Sequence, residues 1–150
     1  MKLSKKFAII AALFATLLTG CSLLEQVNTT LNYATEATAF VNDANRFAEQ
    51  VPLLAEQALT NPETIERLRQ ELEAMKAEIA AFDALQAPAF AEDVHARFVA
   101  YNETVREQID GYLRQIDENV IDLDALAQAP MLETIRNMTE LLQQLERLQQ

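Results

Sequence analysis

From Ser22 to its last residue the chain holds a single glycine, Gly111, and no run of alternating polar and apolar residues. Hairpins and half-buried strands need turn residues and a period of two, so this pattern argues against a sheet. Alanine, leucine, glutamate and glutamine fill the chain instead, and these residues lose little on entering a helix. The apolar residues recur at steps of three and four, as on helices with one buried face. The fold expected is all-α, an antiparallel bundle of about four helices.

The first helix is expected over residues 23–50. Leu24, Val27, Leu31, Ala34, Thr38, Val41, Asn45 and Ala48 form one row, with Tyr33, Ala37, Phe40, Ala44, Phe47 and Val51 beside it. Pro52 should stop or kink it, because a residue preceding proline is pushed away from helical angles. A short helical turn then covers 53–59. Asn61-Pro62-Glu63 reads as a helix start, with Asn61 capping and Pro62 in the first turn, so a second helix is expected over 62–85. Its stripe is Ile65, Leu68, Leu72, Met75, Ile79 and Phe82. Beyond Ala87-Pro88 a third helix spans 89–119, with Val94, Phe98, Tyr101, Val105, Ile109, Tyr112 and Ile116 inward. Gly111 lies inside it and reads as a close helix contact or a slight bend. A connector over 120–128, with a turn near Asp122, leads to a last helix over 130–148. Leu132, Ile135, Met138, Leu142, Leu145 and Leu148 face its core. Prolines between short heptad runs favour a chain that folds back on itself over an extended coiled coil.

Ahead of these helices stands a different kind of segment. Lys2, Lys5 and Lys6 precede an uncharged apolar run over 7–18, and Leu18-Thr19-Gly20-Cys21 follows. A positive n-region, a short apolar core and small residues describe a secretory signal. The run is shorter than the roughly 20 apolar residues that a spanning helix needs. Leu18-Thr19-Gly20-Cys21 resembles the lipobox of bacterial lipoprotein signals, which implies cleavage before Cys21 and lipid on its thiol. Two or more acyl chains hold a protein on a bilayer, where one short chain is marginal. The organisation expected is a signal peptide, 1–20, and an acidic bundle domain, 21–150. Cys21 is the sole cysteine, so the domain has no internal disulfide. Leu23 and Leu24 already begin the apolar pattern, which predicts a bundle close to the membrane without a flexible tether.

The charge narrows the possible partners. The formal net charge is −11, and removing three lysines with the signal takes it to −14. Lys76 and the arginines are then outnumbered by 23 acids. Nucleic acid is excluded as a partner, because phosphate binding needs a basic patch. An anionic bilayer surface would repel the domain, so anchoring falls to the lipid. A cationic partner suits this charge better.

No constellation for catalysis stands out. His95 is the lone histidine and reads as solvated or near a helix cap. No HExxH, Cys/His cluster or Gly-rich phosphate loop occurs. Asp117-Glu118-Asn119 with Asp122 and Asp124 is the best cation candidate, yet it lacks the glycine that an EF-hand loop needs at its sixth position. Asp117, Asp122 and Asp124 are therefore weak candidates only, and no metal or cofactor is assigned. The aromatics lie on helical stripes, where core packing is the default reading.

The segment across the expected cleavage point, Gly20-Cys21-Ser22-Leu23-Leu24-Glu25-Gln26-Val27-Asn28 with Leu31-Asn32-Tyr33, resembles a family of small Bacillus-type, Gram-positive lipoproteins of unknown function. Ala91-Glu92-Asp93-Val94-His95 and Tyr101-Asn102 fit the same resemblance. It implies lipidation at Cys21 and a place on the extracytoplasmic face of the cell membrane, and it carries no catalytic residue. The function expected is that of a non-enzymatic, membrane-anchored envelope lipoprotein that binds or stabilises another envelope component. The alternative is a small-ligand or cation carrier using the bundle core or the acidic connector.

Overall fold

The computed structural model describes the backbone of residues 20–148 and the side chains of residues 31–148. Residues 1–19, on which most of the expected signal peptide falls, lie outside the described residues, as do the side chains of Cys21, Leu24 and Val27. Among the described residues all regular structure is helical: α1 (Gly20–Ala58), α2 (Thr64–Asp83), a 3-10 turn (Ala89–Ala91), α3 (Glu92–Asp117), a short α4 (Leu123–Ala127) and α5 (Pro130–Leu148). The chain divides into two compact units, 1–32 and 33–150. The described part of the first is helical backbone. The packing below concerns the second.

That packing is an antiparallel arrangement of four long helices, as the stripes require. Phe40 of α1 stacks on Phe82 of α2, with ring centroids 4.3 Å apart. Arg69 and Lys76 of α2 pair with Asp117 and Asp110 of α3, in reverse order along the chain. Arg97 near the start of α3 bonds Gln144 near the end of α5, and Gln108 accepts from the Met131 backbone N–H. Asn45 of α1 donates to Thr139 of α5, which closes the ring of neighbours. The core runs the length of these helices, with Leu68, Leu72, Ile79, Phe98, Ile109, Ile135, Met138 and Leu145 fully buried.

Pro52 does not end α1. The helix continues to Ala58, and the expected separate turn over 53–59 is its last two turns. Proline removes one helical N–H and crowds the carbonyl of Ala48. The helix persists because its apolar face does: Val51, Leu54, Ala55 and Ala58 are all buried. Within α1 the row from Tyr33 to Val51 is the buried one, whereas Thr38 is exposed and Leu31 is 58% exposed. The core-facing centre of α1 thus lies one step round from the first expected row.

The other boundaries follow local chemistry. Asn61 Oδ1 accepts from the Glu63 N–H at 3.1 Å, and the Asn61 carbonyl accepts from Thr64, so the cap is in place but the α-helix begins at Thr64. Pro88 is extended, and the chain winds a 3-10 turn before α3 opens at Glu92, three residues later than expected. The end of α3 is a Schellman arrangement. Asn119 takes the left-handed conformation at φ 56°, its N–H reaches the Ile116 carbonyl, and the Val120 N–H reaches Gln115. Asp122 caps α4 by accepting from the Ala125 N–H at 2.9 Å. The bounds of α5 match the expectation, but Leu148 is 52% exposed, and Met131 and Leu141 take places in the core. Gly111 is not a site of close helix approach. A Cβ there would meet only the Arg114 side chain, at an ordinary 3.9 Å.

Candidate functional site

The lone histidine lies at a helix start, as expected, but is only partly open to solvent. His95 sits in the first turn of α3, half-buried among aromatic rings. Its ring lies 5.7 Å from Tyr33, edge-on, and 5.3 Å from Phe82. The Tyr33 hydroxyl and His95 Nδ1 are 3.0 Å apart. Burial raises the Tyr33 pKa to about 12, so the phenol keeps its proton and donates. Nδ1 is then the acceptor, and Nε2 carries the proton of the neutral ring. Burial also lowers the His95 pKa, against a smaller opposing pull from the Asp83 carboxylate and backbone carbonyl. The sequence hid this environment, because Tyr33 and His95 are 62 positions apart.

These shifts predict a pH dependence. His95 in the unfolded chain titrates near its ordinary value of 6.5, and in the folded protein it titrates lower. Above that value it is neutral in both states and contributes nothing to the pH dependence. Below it the unfolded chain takes up the proton first, so stability falls as pH drops towards the folded-state pKa and then levels. Urea unfolding between pH 7.5 and 5 should show this loss for the native chain and a flatter profile for His95→Gln. Parallel profiles would overturn the assignment.

One buried polar residue was missed on the α3 stripe. Asn102 is fully buried and donates from Nδ2 to Asp83 Oδ1 at 2.6 Å. Its Oδ1 has no hydrogen-bond partner. Flipping the amide would set that oxygen against the carboxylate, so the present orientation is the favourable one. Arg106 stands 3.9 Å from the other Asp83 oxygen. The signal was present in the sequence, since Phe98, Asn102, Val105 and Ile109 step by four, three and four. Tyr101, chosen in its place, is half-buried.

The acidic connector holds its carboxylates apart. Asp117 is bound by Arg69 at 2.6 Å. Asp122 is spent on the cap of α4. Asp124 is exposed, and its backbone carbonyl accepts from Gln128. Among the described residues no group of three or more His, Cys, Asp or Glu side chains is arranged to hold a metal ion.

Among the described residues a concave surface lies between α1 and α2. Three depressions follow one another along these helices. The first, of about 140 Å³, is lined by Glu36, Phe40 and Asp43 of α1 and by Glu78 and Phe82 of α2. The second, of about 480 Å³, shares Asp43 and Glu78 and adds Phe47, Gln50, Glu71 and Met75. The third, of about 220 Å³, shares Gln50 and Glu71 and reaches Leu54, Gln57 and Arg67. The shared residues make this one groove with an apolar floor and a mainly acidic rim. No sequence stripe shows it, because it exists only once two helices lie side by side.

Among the described residues no helix is long and apolar enough to cross a membrane. No solved structure matches the chain. An uncharacterised lipoprotein of Bacillus subtilis, YybP, is 34% identical over 129 residues, which cover 86% of this chain and 87% of that protein. A model of a family of unknown function (DUF6376) matches residues 33–148, the span of the bundle. The chain therefore belongs to the DUF6376 family, a Bacillus-type lipoprotein family of unknown function.

Proposed function

We propose that this protein is an envelope lipoprotein, cleaved before Cys21, lipidated on that thiol and held on the extracytoplasmic face of the cell membrane, where its bundle binds another envelope component. The observation that carries the anchoring is Leu18-Thr19-Gly20-Cys21 behind a lysine-led apolar run. The relative named above as a lipoprotein supports it across most of the chain. The role is binding, without catalysis. A mature charge of −14 selects a cationic partner and leaves attachment to acyl chains. The carrier reading is the weaker one, since Arg69 and the α4 cap already engage Asp117 and Asp122.

Cell fractionation tests the anchor. The native chain should be found with the membranes and should incorporate labelled fatty acid. Cys21→Ala should lose the label and leave the membrane fraction. Retention in the membranes of an unlabelled Cys21→Ala protein that has lost residues 1–20 would overturn the proposal.

A further inference from the structure

The groove between α1 and α2 has the length, the floor and the charge of a receptor for one more helix. Its rim on α1 is Glu36, Asp43, Gln50 and Gln57, at steps of seven. Its rim on α2 carries Glu71 and Glu78, also seven apart. Such spacing keeps a seam on one side of a helix over many turns. From Glu36 to Gln57 the helix rises about 30 Å, the length of a helix of about 20 residues. Exposed alanines, Ala39, Ala74 and Ala81, leave room between the rims. Their methyls form the floor, above Phe40, Phe47, Met75 and Phe82, which are buried in the core beneath.

Charge decides the occupant. Glu36, Asp43, Glu71 and Glu78 face the groove against Arg46 and Arg67, and Arg46 is already paired with Asp43 at 3.0 Å. At the end near Glu36 no base lines the groove at all. A second copy of this acidic chain would bring like charge to that rim. We infer that the groove receives an amphipathic, cationic helix of about 20 residues from a partner protein, with its apolar stripe on the floor and its lysines or arginines against Glu36, Asp43, Glu71 and Glu78. The inference rests on the binding role proposed above and gives that partner a chemistry and a place.

The test uses the full lipidated protein in nanodiscs of zwitterionic lipid, so that the bilayer does not attract the probe. The probe is a synthetic peptide of about 20 residues with leucine at steps of three and four, lysine on the flanks and one photo-crosslinker. Cross-links should map to the groove. Binding should weaken about tenfold or more in a protein carrying E36Q, D43N, E71Q and E78Q, and in Ala81→Trp, which fills the floor. Removing as many charges from the outer faces of α3 and α5, with E103Q, E133Q, E140Q and E146Q, should change it less than about threefold. Circular dichroism confirms that each variant is folded. Equal losses from both fourfold variants, cross-links spread over the surface, or no binding at about 1 mM would overturn the inference. So would cross-links between copies across the groove. A crosslinker carried in cells on the outer face of α5 separates the two levels. Capture of an envelope protein there, with a silent groove, would sink this inference and leave the binding role standing.

Discussion

Replacing Phe82 by alanine should destabilise the bundle by about 3–5 kcal/mol, which lowers Tm by about 12–20 °C for a domain of this size. Phe82 is 3% exposed and sits where several rings meet. It stacks on Phe40, meets Phe98 edge-on at 5.2 Å, and lies against Tyr33 and His95. Truncation removes the ring from a site that three helices enclose, and close-packed surroundings cannot collapse to fill it. Each aromatic pairing adds roughly 0.5–1.5 kcal/mol beyond the buried area. A second readout identifies the cause. Water entering the cavity would relieve the burial that depresses the His95 pKa, so that value should rise towards 6.5 in Phe82→Ala, followed by NMR of the ring protons. A loss below about 1 kcal/mol, with His95 unmoved, would show that the rings do not pack as described.

Pro52→Ala should act in the opposite direction, raising stability by about 2 kcal/mol. A proline in a helix interior costs about 3 kcal/mol relative to alanine. Part of that is returned, because proline also restricts the unfolded chain by about 0.4–1 kcal/mol. Alanine would give α1 the missing N–H for the Ala48 carbonyl without disturbing the buried neighbours Val51, Leu54 and Ala55. Urea unfolding midpoints of the two proteins decide it. An unchanged or lower midpoint for Pro52→Ala would mean that the ring contributes packing that the half-buried position does not suggest.

These two sites mark where sequence reasoning succeeded and where it stopped. Leu68, Leu72, Met75, Ile79 and Phe82 were legible as a buried stripe because period and burial coincide from Leu68 onward, whereas at the start of α2 Thr64 is buried and Ile65 only partly so. The bounds of α5 were legible because Pro130 opens it within a clear stripe. Pro52 misled because a local backbone rule was outweighed by apolar residues on its far side. The place of His95 at a helix start was legible, but its aromatic surroundings were not, because they come from α1 and α2, which no window of sequence contains. Asn102 lies on the stripe by its spacing, but a polar side chain there is outranked by the aromatic Tyr101 on any hydrophobic criterion. The groove was illegible in principle: its rims are drawn from separate helices, and its shape is a property of their pairing.

Asn102 also bears on how the chain finds its structure. Four apolar stripes of similar period can slide past one another by a turn and still bury most of the same surface. The bond from Asn102 to Asp83 does not slide. If α3 moved by one turn along α2, that amide would remain in an apolar interior with neither of its polar atoms paired, and each would cost roughly 1–3 kcal/mol. The bond thus makes the misaligned bundles worse, and favours one alignment among several that hydrophobicity alone would rank as equals.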